Sequence, residues 1–75
     1  MKALIVIHEE CHGAIGYVHN YKRAIDFLYC NDWFDEEEMI ANFGVDWLNR
    51  ISKWNIDTFN KEMNGCFQLE VTEIY

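Results

Sequence analysis

The segment that most constrains the fold is an apolar, β-branched run over residues 3–7, followed by His8-Glu9-Glu10-Cys11-His12 and then Gly13. Residues 8–12 match the H-E-x-x-H pattern. That pattern binds zinc when a helix places both imidazoles on one face and the glutamate serves as general base. The apolar lead-in is instead typical of a strand, and glycine punctuates turns. We therefore predict a β-hairpin whose loop spans residues 9–13, which leaves the zinc-protease pattern without its helix.

Other interpretations of this loop stay open. A metal-binding protein or a hydrolase would use His8, Glu10, Cys11 and His12, whose side chains suit zinc. Cysteine catalysis at Cys11, between two histidines, would also need an orienting third group and an oxyanion hole, and the sequence indicates neither. A polar hairpin loop requires no ligand at all. We predict no cofactor, with zinc as the alternative.

The apolar periodicity predicts the order β-β-α-α-α-β within one domain over residues 1–75. Strands are expected over residues 2–8, 14–18 and 66–75. One helix is expected from residue 21 to about 29, with Asn20 as its N-cap. A second begins at Asp35, and a third, capped by Asn55 or Asp57, ends before residues 64–65.

The middle helical segment leaves its helix count open. Gly44 either ends a helix that begins at Asp35 or is a weak point in one longer helix, so residues 35–54 form one helix or two. An apolar pattern at roughly helical spacing continues beyond the glycine. It predicts an inward stripe of Val45, Leu48, Ile51 and Trp54.

We predict an α+β fold, a three-stranded antiparallel sheet in strand order 2-1-3 with two to three helices on one face. The first strand is apolar on both faces, so it is placed in the middle. Leu4 and Val6 would then face away from the helices, with Tyr17 or Ile15 beside them. Such a patch predicts a homodimer through the sheet. Gly16 within the second strand indicates a bulge or a close backbone approach.

Negative charge is concentrated in one part of the chain. The formal net charge is -7, and residues 32–46 carry six carboxylates and no basic residue. Such a field repels nucleic-acid phosphates and favours a partner with a basic surface. The carboxylates also suit a helix N-terminus, which is the alternative explanation. The predicted partner-binding residues are Trp33, Asp35, Glu36, Glu37 and Trp47.

The compartment is predicted from what the chain lacks. The start of the sequence shows no signal-peptide pattern, and the longest apolar run, five residues, is too short to span a membrane. Three widely spaced cysteines are expected to be reduced thiols. We therefore expect a cytoplasmic protein without a membrane segment.

Residues 12–17 and 24–28, with elements of the tail from Phe59 to Tyr75, resemble small uncharacterised proteins of phages and prophages of Gram-positive bacteria. The resemblance covers about half of the chain and carries no catalytic residues. It implies an accessory protein that inhibits or modulates a host protein, in the host cell cytoplasm. The predicted function is therefore a small acidic, non-enzymatic protein-interaction module.

Overall fold

Three strands form one antiparallel sheet in the order β2-β1-β3, and the helices lie between β2 and β3 in the sequence. The computed structural model describes residues 2–74. The predicted α+β class, strand order and order of elements are confirmed. Tyr75, which the last predicted strand included, lies outside the described residues. The elements are β1 (Lys2–Glu9), β2 (Gly13–Val18), α1 (Tyr21–Cys30), α2 (Glu36–Phe43), α3 (Trp47–Ser52), α4 (Ile56–Glu62) and β3 (Phe67–Ile74).

Side-chain caps fix where three of the helices begin. The side-chain oxygens of Asn20 and Asn55 each accept a hydrogen bond of 2.8 Å from the backbone N–H three residues on. Asp35 caps α2 through the N–H groups two and three residues on. Gly44 has φ 94°, a conformation that favours glycine, and it ends α2. Residues 35–54 are therefore two helices.

The hairpin of β1 and β2 contains the irregularity that Gly16 predicted. The strand register shifts between Ile7 and His8, and Gly16 lies opposite Ile7 on the face that the helices cover. A Cβ atom at Gly16 would lie 2.6 Å from Cζ of Phe27 in α1. The sequence therefore needs glycine at this position so that α1 can pack directly on the strand backbone.

The core lies between one face of the sheet and the four helices. Ile5, Ile7 and Leu69 of the sheet pack against helix residues such as Phe59, which is completely buried. Burying one such side chain contributes roughly 1.5–3 kcal/mol. Among the described residues no polar or charged residue is buried, and no buried side-chain nitrogen or oxygen lacks a hydrogen-bond partner.

The edge of β3 is closed over part of its length by α4. The backbone N–H of Leu69 donates to Asn60 Oδ1 at 2.7 Å, and Asn60 Nδ2 donates to the Leu69 carbonyl at 2.9 Å. The N–H of Phe67 donates to the carbonyl of Met63 at 3.0 Å. These contacts replace a fourth strand along the edge, where unpaired backbone groups favour aggregation.

All four helices are short, from six residues in α3 to ten in α1. A helix that spans a bilayer needs about 20 apolar residues. Within residues 2–74, no helix has the length and the apolar character to cross a membrane.

Candidate functional site

The chain turns at residues 10–12 and does not form a helix there, as predicted. His8 and His12 are held by different carboxylates: His8 Nε2 lies 3.0 Å from Glu70 Oε1, and His12 Nδ1 lies 2.6 Å from Glu9 Oε1. Successive strand residues point to opposite faces, so His8 and Glu9 diverge. Across residues 2–74 no three His, Cys, Asp or Glu side chains are placed to hold a metal ion.

The four predicted metal ligands are therefore not brought together by the hairpin. His8 lies on the sheet face opposite the helices, where it pairs with Glu70. Glu10, Cys11 and His12 belong to the exposed turn beyond the end of β1. The sequence pattern suggested one cluster, but the pleat of β1 separates its first histidine from its last.

Glu9 holds the hairpin turn in place. Its Oε1 accepts hydrogen bonds from the backbone N–H groups of Cys11 and His12, both at 2.9 Å, and from His12 Nδ1. The bond from the His12 side chain is the main reason that the pKa of the Glu9 carboxyl lies below its usual range. The His12 ring meets Trp33 edge-on, with 5.4 Å between ring centroids. The turn is thereby fixed against the segment that precedes α2.

A cleft of about 260 Å³ opens where the hairpin turn, α2, the end of α4 and the start of β3 meet. We call it the acidic cleft. No lysine or arginine is among the described residues that line it. Its apolar floor is Trp33, Phe34, Met39, Phe43, Met63 and Phe67, and its carboxylate rim is Glu9, Glu10, Asp35, Glu38 and Glu62.

Three rim carboxylates lie close enough to Cys66 to affect the pKa of its thiol. Burial raises the pKa of the Cys66 thiol, and the negative charges of Glu38, Glu10 and Glu9 raise it further. A raised pKa keeps the thiol protonated, which disfavours nucleophilic chemistry at Cys66. Negative charge from β1, from the hairpin turn and from α2 therefore converges on Cys66, the residue just before β3.

Three rim carboxylates are not neutralised by the chain itself. Those of Glu10, Glu38 and Glu62 have no hydrogen-bond or ion-pair partner within residues 2–74. Glu9 is held by the turn, and Asp35 caps α2. The rim thus combines two carboxylates that fix local backbone with three that are available to an external cation.

The structure distributes the predicted partner-binding residues over more than one site. Trp33 and Asp35 line the acidic cleft. Glu36 and Trp47 line a neighbouring depression of about 320 Å³ between α1 and α2, and Glu37 lines neither. These five residues therefore do not line one depression.

Trp47 is a correction to the sequence analysis, which treated its indole as an exposed anchor. The side chain is 5% exposed and belongs to the core. Its ring packs against Phe34 and Tyr29, at centroid distances of 5.5 and 6.1 Å. The reason is that α3 begins at Trp47, so the indole and Ile51, one turn later, point inward together.

Sequence reasoning missed most of the rim, although one signal was available. In strand order 2-1-3, the start of β3 must lie beside the end of β1. Glu9 is indeed opposite Phe67, and the N–H of Glu10 donates to the carbonyl of Cys66 at 3.0 Å. Glu9 and Glu10 were considered only as parts of a metal motif. Their proximity to Phe67 follows from the predicted topology.

The face of the sheet opposite the helices has a different composition, and we call it the outer sheet face. Tyr17 lies opposite Val6 there and is 72% exposed, while Leu4 and Val6 are half-buried. Ile15, the other predicted neighbour, packs against the core. A homodimer through this face stays a prediction. The register places Leu4, Val6, His8, Tyr17, Gln68, Glu70 and Thr72 on it.

Comparison of the chain with protein-family models, curated proteins and solved structures returns no match.

Proposed function

We propose that this chain is a non-enzymatic binding protein that takes a basic segment of a partner protein into the acidic cleft. The observation that carries the proposal is the pairing of an aromatic and methionine floor with a rim of five carboxylates. Aromatic residues and methionine are enriched at protein interfaces, and complementary charge guides the partner to them. The cleft supplies both components within one short span of surface.

The charge of the whole chain supports a basic partner. A formal net charge of -7 produces a negative field that speeds the approach of a cationic protein. The same field opposes binding to nucleic-acid phosphates. We further propose that the partner is a host protein, which is what the sequence resemblance to phage and prophage accessory proteins implies.

The catalytic and metal alternatives have weaker support in the geometry. Cysteine catalysis at Cys11 needs a base in contact with the thiol, and within residues 2–74 the Cys11 side chain makes no hydrogen bond to a histidine or to any other base. A loop metal site needs His8 and His12 together, and each histidine is paired with a different carboxylate. Binding is therefore the function that the arrangement favours.

The test uses an amidated probe, Lys-Arg-Gly-Lys-Phe-Lys-Gly-Arg-Lys, titrated into the wild-type chain and two double variants by calorimetry. We expect Glu10→Gln with Glu38→Gln to weaken binding about tenfold at low salt, because both carboxylates lie on the rim. The matched control is Glu36→Gln with Glu37→Gln, which removes the same charge from residues that do not line the cleft. It should bind within about threefold of the wild type.

Two outcomes would refute the proposal. One is the absence of binding by the wild-type chain at millimolar peptide and low salt. The other is an equal loss of affinity in both double variants, which would show that only net charge attracts the peptide. Circular dichroism of each variant confirms that the fold is retained.

A second candidate, a structural homodimer, is favoured by the exposed Tyr17 next to Val6 on the outer sheet face. Val6→Asp would place a charge in the centre of such an interface and convert the dimer to single chains. Light scattering of the wild-type chain and of this variant measures the mass directly. A wild-type mass of one chain at millimolar concentration would exclude this candidate.

A further inference from the structure

We infer that the segment bound in the acidic cleft inserts one bulky apolar side chain onto the aromatic floor, with lysine or arginine on both sides of it. This inference rests on the proposed function and specifies the chemistry of the partner. A purely basic segment would use the rim and leave the floor in water. The recognised element is therefore a short basic segment with a single apolar anchor.

The floor provides the surface that an apolar anchor needs. Trp33, Phe34, Phe43 and Phe67 are half-buried, so part of each ring faces the cleft. Met39 and Met63 lie beneath them and are 6% and 5% exposed. Methionine side chains adapt their shape to an inserted group. Insertion would remove both the anchor and these ring surfaces from water.

The size of the cleft favours one side chain over a free small molecule. Its volume of about 260 Å³ lies below the roughly 300–1,000 Å³ that is typical of small-molecule sites. A side chain delivered by a folded or extended partner needs less enclosure, because the rest of the contact lies on the surface outside. The cleft is thus an anchor pocket within a larger contact area.

The three rim carboxylates that lack a partner within residues 2–74 belong to different parts of the fold, so the bound segment needs positive charge on more than one side of its anchor. Glu10 belongs to the hairpin turn, Glu38 to α2 and Glu62 to the end of α4. These three carboxylates are the ones without a partner within residues 2–74. Cations on both sides of the anchor would satisfy them together, and the partner's charge would then fix the orientation of the bound segment.

A second copy of this chain fits the cleft less well than a basic peptide does. Each copy carries a formal net charge of -7, so two copies repel each other electrostatically as they approach. A polyamine offers cations but no bulky apolar group for the floor. Both occupants are included as outcomes of the test.

The test compares the probe peptide with two analogues in which its central Phe is replaced by Ser or by Leu. Affinities are measured by calorimetry, and the position of binding is read from the indole N–H resonance of Trp33 in ¹H–¹⁵N NMR spectra. We expect the Leu analogue to bind within about threefold of the Phe peptide. The Ser analogue should bind about ten- to a hundredfold more weakly, which corresponds to losing the burial of one large apolar side chain.

The outcomes separate this inference from the proposed function. Equal, salt-dependent binding of the Phe and Ser peptides, lost in Glu10→Gln with Glu38→Gln, would overturn the anchor and leave the basic-segment proposal standing. No binding by any of the three peptides would overturn both. Spermidine that competes with the Phe peptide at equal concentration would overturn the anchor. Trp33 shifts that appear on concentrating the chain alone would assign the cleft to a second copy and overturn it as well.

A variant of the floor provides the reciprocal test. Phe67→Ser should weaken the Phe peptide by at least about tenfold and leave the Ser peptide unchanged, because only the former uses the floor. Phe67→Leu keeps an apolar side chain at the position and should retain most of the affinity. If Phe67→Ser fails to fold, the Leu variant still tests the inference, since equal weakening of the Phe and Ser peptides by this variant would contradict it.

Discussion

The acidic cleft and the outer sheet face both place apolar side chains at the surface, but they differ in the charges around them. On the outer sheet face, the carboxylate of Glu70 is paired with His8 at 3.0 Å. In the cleft, three carboxylates lack a partner within the described chain and stand over an aromatic floor. Exposure alone therefore does not distinguish a binding surface. We propose that the combination of unneutralised carboxylates with an apolar floor does, and this combination is present in the cleft.

Charge reversal on the rim should have the largest effect on peptide affinity. If it had no effect, the distinction between the acidic cleft and the outer sheet face would be wrong. Glu10→Lys with Glu38→Lys is expected to weaken the Phe peptide about a hundredfold at low salt, near 2.7 kcal/mol. The charge-matched comparison uses single reversals: Glu38→Lys on the rim should weaken the peptide about tenfold, whereas Glu70→Lys on the outer sheet face should change affinity by less than about threefold. Calorimetry measures all of these variants. Similar losses in the two single variants would mean that the cleft has no special role.

Asn60→Ala tests the contact by which α4 closes the edge of β3. Asn60 holds both backbone groups of Leu69 at the edge of β3, and its loss leaves a part-buried donor and acceptor unpaired. We expect the free energy of unfolding to fall by about 1–3 kcal/mol. Urea denaturation provides the measurement. Asn64→Ala, at an exposed asparagine nearby, should cost much less, and an equal cost would rule out the proposed role of Asn60.

Glu62→Gln tests whether the rim is maintained at the expense of stability. Glu62 ends α4, where the helix dipole disfavours a negative charge. The variant should gain about 0.3–1 kcal/mol of unfolding free energy and bind the Phe peptide severalfold more weakly. Asp57→Asn, in the favourable first turn of the same helix, should lose stability and keep its affinity. A Glu62 variant that is less stable than wild type would contradict this account.

The smallest effect is expected from the pH dependence of the hairpin turn. The pKa of Glu9 is lowered in the folded chain, chiefly by His12. The stability it contributes is therefore present at neutral pH and is lost as the pH falls below about 5, through the folded-state value. Glu9→Gln should lower the melting temperature at pH 7, and the difference from wild type should shrink in acid. Melting curves from neutral to acidic pH check this, and a constant difference would disprove it.

The sequence was sufficient for those parts of the fold that depend on neighbouring residues. The β-branched run before His8 and the glycine after His12 predicted the hairpin. Asn20 and Asp35 marked helix starts because a side-chain cap acts within three residues, and of the two candidate caps for the last helix, Asn55 and Asp57, the structure uses Asn55. The hairpin and the helix starts are set by local chemistry. Gly16 indicated only a bulge or a close backbone approach, and the identity of the approaching group, Phe27 of α1, comes from the tertiary structure.

The error around α3 shows where local patterns stop being informative. Helical spacing placed Val45 with Ile51 on an inward stripe, but Val45 is 85% exposed. It lies in the turn between Gly44 and Trp47, where helical periodicity does not apply. The buried residue is Trp47, because the helix starts there. The sequence pattern did not show that a helix starts at Trp47, so it treated a core indole as an exposed anchor.

The acidic cleft itself could be predicted only in part. Strand order brings Glu9 and Glu10 beside the start of β3, and sequence alone allows that deduction. The positions of Glu38 and Glu62 depend on how α2 and α4 pack against that end of the sheet. No local rule specifies that packing, so the rim required the tertiary structure.

The most direct measurement is a residue-by-residue ¹H–¹⁵N map of the wild-type chain during titration with the Phe peptide. The account predicts that the largest shifts fall on Glu10, Trp33, Glu38, Glu62 and Phe67, and that Val6 and Tyr17 stay unchanged. Shifts concentrated on the outer sheet face, or spread evenly over all acidic residues, would contradict it.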